Sequence, residues 1–390
     1  MNIDIPVKTF NKLGLDIIAQ VNNLKPSIYD ANGKSHLERI SSFIDHAKES
    51  EEYYNLLIDF ISYYLKPYKD IAEFETDAEH NNYLNEQKLE GYKMVEKRRS
   101  NGQVIRYRER LKSQEEVFIA NFLFRNGINY EYEEKYQYKT ASKQFGQYKP
   151  DFYLPDYNVY IEHFGVDENW NVPDWFNGKD GKSAKEVYNE GIEWKRQEHN
   201  NNSTTLVESY SWQQKKGILL SELQKNLEDV GVVFNPISND KLWLYLKENA
   251  SKDISDFTQL LDTFLVLLKS NNEAISNLQK RALKENNDRA IKFLELFDPI
   301  YHSYQEYLSE EEEIDFSDMI NYATDVIQDN LYQSPYDYII IDEYQDISKA
   351  RFQLIKSLLD QNPSTKLFCV GDDWQSIYRF AGSDIGLFTN

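Results

Sequence analysis

Two apolar runs near the end of this 390-residue chain each break off abruptly into acid. Tyr338-Ile339-Ile340-Ile341 meets Asp342-Glu343-Tyr344-Gln345-Asp346, and Leu367-Phe368-Cys369-Val370 meets Gly371-Asp372-Asp373-Trp374-Gln375. A short continuous run rich in β-branched and aromatic residues suits a strand buried on both faces, and residues 348–359 between the runs carry helical spacing. The order predicts a βαβ unit. Ligands of such sheets bind at the carboxyl ends of the strands, where these carboxylates fall.

Paired carboxylates at that place suit the magnesium and the attacking water of a nucleotide. One Asp holds the metal, its neighbour orients or deprotonates water, and a polar side chain senses the terminal phosphate. A lone apolar run ending in Asp-Glu also arises wherever a strand enters an acidic turn; the second string is what makes the pattern specific. Together, Asp342 to Asp346 and the stretch from Gly371 through Gln375, Tyr378, Arg379 and Phe380 to Asp384 resemble motifs II and III of the UvrD-type superfamily 1 DNA helicases, helicase IV-like members above all. The resemblance implies that Asp342 serves the metal, Glu343 activates water and Gln375 contacts the γ-phosphate. Tyr378, Arg379 and Phe380 would couple that contact to single-stranded DNA, with aromatic faces for stacking on bases. Thr9-Phe10-Asn11 is similar to the family's TFH motif, with Asn in place of His.

The phosphate-cradling GxxxxGK[ST] loop does not occur in the sequence. Gly33-Lys34-Ser35 has its ending, but Ile28 stands where the first glycine belongs, and without the loop the backbone N–H groups and lysine that hold phosphates are missing. The expectation is the middle of a longer helicase, cut at both ends, whose full-length parent binds ATP with Mg2+. The missing halves, or a partner subunit, would complete it. The chain alone is expected to show no ATPase.

A net charge of −21 argues against broad coating of nucleic acid and demands localised basic patches. One cysteine, Cys369, excludes a disulfide framework and, with no signal peptide and no apolar stretch of membrane-spanning length, fits a cytoplasmic protein with no membrane contact. Residues 36–97 and 237–332 show helical spacing with long charged faces. Between them aromatic alternation takes over at residues 130–164, punctuated by Gly127, Gly146, Pro150, Pro155 and Gly165 as strands and hairpins are. A helix over 113–125 precedes it, opening with the capping-box form Ser113 and Glu116. Helix over 184–199, strand over 204–210 and helix over 214–230 follow.

Inside this insert, Asp151 opens Pro-Asp-Phe-Tyr-Leu-Pro and Glu162 lies in Tyr-Ile-Glu-His-Phe-Gly. On adjacent strands of one hairpin both carboxylates can converge on a hard cation, Mg2+ or Mn2+, with Glu116 as a third ligand. Lys195 could stabilise developing charge or position the attacking water, which completes the equipment for metal-assisted phosphodiester hydrolysis. The αβββαβ order with these four residues resembles the PD-(D/E)xK nuclease fold, in the version inserted in helicase IV-like proteins. Two places after Glu162, where the fold's usual lysine stands, this chain has Phe164, so Lys195 on the following helix is read as its substitute. An active nuclease, a non-cutting DNA-binding relic and a plain scaffold all remain open. His163, by alternation, should point away from Glu162 toward packing or solvent, and His199 is expected at the surface. Arg98, Arg99, Arg106 and Arg108 head a basic stretch at residues 93–112 that could grip the DNA backbone or form a solvated hairpin.

The fold class expected is therefore α/β: a partial P-loop, RecA-like helicase core with a helical subdomain and an inserted αβββαβ nuclease-like domain. Residues 1–20 and 331–390 would be part of motor domain 1A, 21–111 and 236–330 helical subdomain 1B, and 112–235 the insert. The activity expected of the parent is ATP-dependent DNA unwinding with metal-dependent cutting, in repair or in defence against foreign DNA. The rival is a non-catalytic DNA-binding or assembly subunit whose motor half comes from a partner.

Overall fold

Small polar residues set most helix starts. Thr9 caps α1 (Phe10–Asn22) by accepting from Lys12 N, and a two-residue strand, β1 (Ser27–Ile28), leads to α2 (Lys34–Ala47). Ser50 caps α3 (Glu51–Asp59), which runs into a π-helical turn over Phe60–Tyr64; Thr76 caps α4 (Asp77–Gln87). The chain then leaves helix. β2 (Glu90–Arg98) and β3 (Val104–Arg110) form an antiparallel hairpin, so the helix expected through residue 97 ends ten residues early. Its long charged side chains suit a helix locally, but pairing with β3 decides the matter, as tertiary context overrides propensity.

Next come α5 (Gln114–Arg125), β4 (Glu131–Tyr132), β5 (Phe152–Leu154), β6 (Val159–Phe164), α6 (Ala184–Asn201) and β7 (Thr205–Tyr210). The helix expected over 214–230 is two, α7 (Ser211–Lys215) and α8 (Leu219–Asp229), broken at Gly217, whose φ of 71° no helix interior permits. The remainder is α9 (Asn239–Asn249), α10 (Ser251–Ser270), α11 (Ile275–Lys284), α12 (Asp288–Glu310), β8 (Glu313–Ile314), α13 (Phe316–Gln328), β9 (Tyr338–Ile341), α14 (Lys349–Gln361) and β10 (Lys366–Cys369). This computed structural model describes residues 6–30, 34–142, 146–344 and 347–371. Among the described residues no helix is long and apolar enough to cross a membrane.

The chain folds into two compact units, one from Met1–Ile61 with Ile254–Asn390 and the other from Ser62–Asp253. In the first, β9 and β10 pair in parallel with α14 between them, the βαβ order read from the sequence. Ile341, Leu354 and Leu358 pack with Ile17, Ile18, Ala323 and Ile327 of α1 and α13. The strands are not buried on both faces as expected: Tyr338, Ile340 and Phe368 are 74%, 68% and 63% exposed. Alternation turns Ile339, Ile341 and Cys369 toward the helices, and no described element covers the other face.

The second unit is built on a four-stranded sheet in the order β4-β5-β6-β7, antiparallel except for the parallel β6/β7 pair. One face, through Phe152, Leu154, Val159, Ile161 and Val207, packs on Ile119 and Leu123 of α5 and Leu223 and Leu227 of α8. The other packs on α6, with Tyr160 against Trp194 and Phe164 against Ile192. With helices on both faces, β6 reads as buried nearly throughout, and side chains of either parity reach protein rather than water.

Candidate functional site

The acidic residues of the second unit come from three elements: Glu116 from the first turn of α5, Asp151 from the residue before β5, and Glu162 from β6. Ser113 caps α5 by accepting from Glu116 N, but the return half of the expected capping box is displaced. Glu116 Oε2 instead accepts from Lys112 N at 3.1 Å and from the Tyr132 hydroxyl at 2.5 Å. Glu162 is fully buried, and Lys195 Nζ donates to its Oε2 at 2.5 Å. Its other oxygen, Oε1, is buried with no well-aligned hydrogen bond among the described residues, and the Tyr148 hydroxyl is the neighbouring group that favours its charged form.

Burial, with the neighbouring Asp151 carboxylate, pushes Glu162 up to about 8, against the opposing pull of Lys195. The same two causes push Glu116 up to about 7, opposed by the Tyr132 hydroxyl. Asp151 thus feels both glutamates, and all three candidate ligands share one field. They do not close into one tight set: among the described residues no three His, Cys, Asp or Glu side chains come together as a metal-holding group. The Lys195 ammonium lies 5.2 Å from the centroid of the Phe164 ring and 5.8 Å from that of Tyr148.

Of the two places expected for His163, packing and solvent, the structure shows packing: its side chain is buried, not at the surface, and its ring Nε2 lies 2.7 Å from Glu115 Oε2. Burial works against a charged imidazole there, yet the Glu115 carboxylate outweighs it and raises the histidine's pKa. Glu115 is held low: burial opposes its charge, but His163 and the Ser211 and Tyr68 hydroxyls overcome that. His199 is likewise not at the surface. It is 2% exposed, with Nε2 3.1 Å from the Tyr148 hydroxyl, and burial drives its pKa down to about 4.

In the first unit Asp342 and Glu343 are exposed just past the carboxyl end of β9. Glu343 has a left-handed φ of 53° and donates its N–H to Asp342 Oδ1 at 3.1 Å. Gln375, Tyr378, Arg379 and Phe380 lie outside the described residues.

On the β2/β3 hairpin, Arg98, Arg99 and Arg106 are exposed, with Arg106 3.4 Å from Glu96. Arg108 is committed internally: Nη1 pairs with Asp253 at 2.8 Å, and Nε and Nη2 donate to the Gly91 and Glu90 carbonyls, each at 2.9 Å. Among the described residues, the exposed hairpin arginines without an ion pair, Arg98 and Arg99, are at its tip.

A model of the UvrD/REP helicase N-terminal domain matches residues 4–390. The chain belongs to that family. It is similar to DNA helicase IV of Escherichia coli strain K12, 36% identical over 129 residues that cover 33% of this chain and 19% of that protein. ATP-dependent DNA helicase PcrA of Staphylococcus epidermidis is 37% identical over 123 residues, 29% of this chain and 16% of the relative. ATP-dependent DNA helicase Rep of Buchnera aphidicola is 31% identical over 147 residues, 36% of this chain and 22% of the relative. The chain spans about a fifth of the length of these relatives.

Within this UvrD/REP chain, sequence reasoning singled out Glu116, Asp151, Glu162 and Lys195 but missed the residues that orient them. Tyr132 and Tyr148 sit in a tyrosine-rich stretch where none stands out. Glu115 is hidden beside Glu116, and only the pairing of α5 with β6 reveals it as the partner of His163.

Proposed function

We propose that this chain is part of an ATP-dependent, helicase IV-like DNA helicase carrying a metal-dependent, nuclease-like domain, acting in DNA repair or in defence against foreign DNA. Residues 1–20 and 331–390 belong to motor domain 1A, 21–111 and 236–330 to helical subdomain 1B, and 112–235 to the PD-(D/E)xK nuclease-like insert. In the full-length parent, Asp342 would hold the Mg2+ of ATP and Glu343 would activate water, with Gln375 on the γ-phosphate. Tyr378, Arg379 and Phe380, with Arg98, Arg99 and Arg106, would contact single-stranded DNA.

The observation that carries the nuclease reading is the buried Glu162 carboxylate, one oxygen of which has no well-aligned hydrogen bond among the described residues, beside an ammonium and within the field of Asp151. An all-oxygen set of mutually repelling carboxylates fits a hard cation. Mg2+ keeps several waters and commonly takes one or two carboxylates plus substrate phosphate, so Asp151 with one glutamate suffices and a tight three-carboxylate cage is not required. A bound Mg2+ or Mn2+ supplies Lewis acidity and an acidified water. Lys195 supplies fixed positive charge beside Glu162, Tyr132 orients Glu116, and the raised proton affinity of Glu116 suits it to hold a proton near neutral pH. Incubation with single- and double-stranded DNA plus Mg2+ or Mn2+ tests this: cutting should appear and vanish in Asp151→Ala and Glu162→Ala. Cutting that persists unchanged in both variants is contamination and overturns the reading.

The apolar face of β9 and β10 that no described element covers, with Tyr338, Ile340 and Phe368 exposed, also suits a second reading, in which a separate polypeptide supplies the motor half to a DNA-binding or assembly subunit. Flanking coding sequence distinguishes the two. A phosphate-loop motif upstream in the same reading frame supports the first, and one in an adjacent gene supports the second.

A further inference from the structure

The Glu115–His163 pair has bonds that reach every element carrying a candidate ligand. His163 follows Glu162 on β6 and Glu115 precedes Glu116 on α5. Both ring nitrogens of His163 are engaged, Nε2 with Glu115 Oε2 at 2.7 Å and Nδ1 with Ser209 Oγ on β7 at 2.9 Å. Its backbone N–H donates to Asp151 Oδ2 at 2.7 Å. Glu115 also accepts from the Tyr68 and Ser211 hydroxyls, each at 2.6 Å. A ring bonded at both nitrogens has one orientation, and the backbone beneath it is fixed accordingly.

Stability alone is a weak reason for such a pair. Desolvating two charges offsets much of their attraction, and a buried ion pair is often no better than well-packed apolar residues. Its placement supplies another reason, because the pair lies one residue from Glu116, one residue from Glu162 and one hydrogen bond from Asp151.

We propose that His163, through Glu115 and its own main-chain N–H, is the positioning residue that fixes Asp151 and the α5 and β6 backbone carrying Glu116 and Glu162, so that Asp151 and one glutamate can take a hard divalent cation. This rests on the nuclease-like reading of the same site. His163 touches neither the ion nor DNA, since both ring nitrogens are already used; it acts through the groups it fixes. Partners of this kind behind metal ligands carry roughly 10–100-fold in metal affinity.

The test titrates Mn2+ into the 390-residue chain and reads the free aquo-ion by electron paramagnetic resonance, with melting temperature followed in parallel. Wild type should bind Mn2+ saturably and Asp151→Ala should not. His163→Gln should bind ~10–100-fold more weakly at temperatures where it is fully folded. Leu223→Ala, which opens a cavity in α8 of the same unit, should lose melting temperature yet keep wild-type affinity. His163→Gln binding as tightly as wild type overturns the proposal, as does an equal loss of affinity in Leu223→Ala. Failure of wild type to bind Mn2+ is a different result, which removes the metal site itself.

Discussion

Lys195 reaches from α6 to donate to Glu162 on β6 at 2.5 Å, and the same ammonium lies 5.2 Å from the ring of Phe164, two residues further along the strand. The strand thus supplies an apolar wall two residues after Glu162, and the positive charge beside the glutamate comes from the helix.

The pH dependence of the second unit should report this site. Glu162 and Glu116 have folded-state pKa values raised from 4.5 to about 8 and about 7. Between pH 5 and 8 the folded state therefore holds protons that the unfolded state has released, and these two groups lower stability as pH rises. Other pairs titrate in the opposite sense, so the comparison is with a variant. Glu162→Gln should gain melting temperature relative to wild type progressively from pH 5 to pH 8. A difference independent of pH would show that Glu162 carries a normal carboxylate.

The hairpin arginines should separate by role. Replacing Arg98, Arg99 and Arg106 together by Ala should flatten the slope of log affinity for single-stranded DNA against log salt by about 2, since each phosphate contact contributes ~0.7. Arg108→Ala should leave that slope unchanged and instead lower the melting temperature, because its guanidinium serves Asp253 and two carbonyls. Fluorescence anisotropy over a salt series, with calorimetry on the same samples, checks both halves.

Much of this was legible in the sequence, and what was not has physical causes. The βαβ order around Asp342 and the αβββαβ order around Asp151 follow from strand-like runs bounded by turn residues, and the helix spacing between them is strong. The β2 strand was missed because Lys93, Met94, Glu96, Lys97 and Arg98 are helix formers whose pairing partner lies beyond a turn. Burial of His199 was missed because Tyr136, Tyr148 and Tyr160, whose rings lie 4.9–5.5 Å from it, come from other elements. Local patterning carries no information about such distant neighbours. The openness of the β9/β10 face was equally invisible, since an apolar run reads alike whether or not anything covers it.

Two glycines inside helices should respond oppositely to alanine. A Cβ at Gly14 of α1 would stand 2.6 Å from the Met319 carbonyl oxygen of α13, so Gly14→Ala must push two packed helices apart. Overpacking of this kind costs about 1–3 kcal/mol. A Cβ at Gly191 of α6 meets nothing within 4 Å, and Gly191→Ala should stabilise by about 0.5–1 kcal/mol through the lower entropy of the unfolded chain. Urea unfolding of each variant measures the two signs.

The side chain of Lys269 on α10 is 3% exposed, and its ammonium lies 2.5 Å from Asp315, the cap of α13, and 2.8 Å from Asp318. The Tyr304 hydroxyl adds a 3.0 Å bond to the same Asp315 oxygen. Lys269→Met would leave two carboxylates facing each other without a counter-cation, a loss of about 3–5 kcal/mol for a buried pair broken on one side. Burial and the Asp315 charge already raise the pKa of Asp318, with Lys269 opposing them. Removing the lysine raises it further, so the folded variant takes up protons as pH falls and its deficit should narrow toward pH 4 and widen toward pH 8. Denaturant unfolding at the two pH values checks this, and Asp318→Asn added to Lys269→Met should recover part of the loss at pH 8. A deficit that is small and identical at both would mean that water, rather than Lys269, balances these carboxylates.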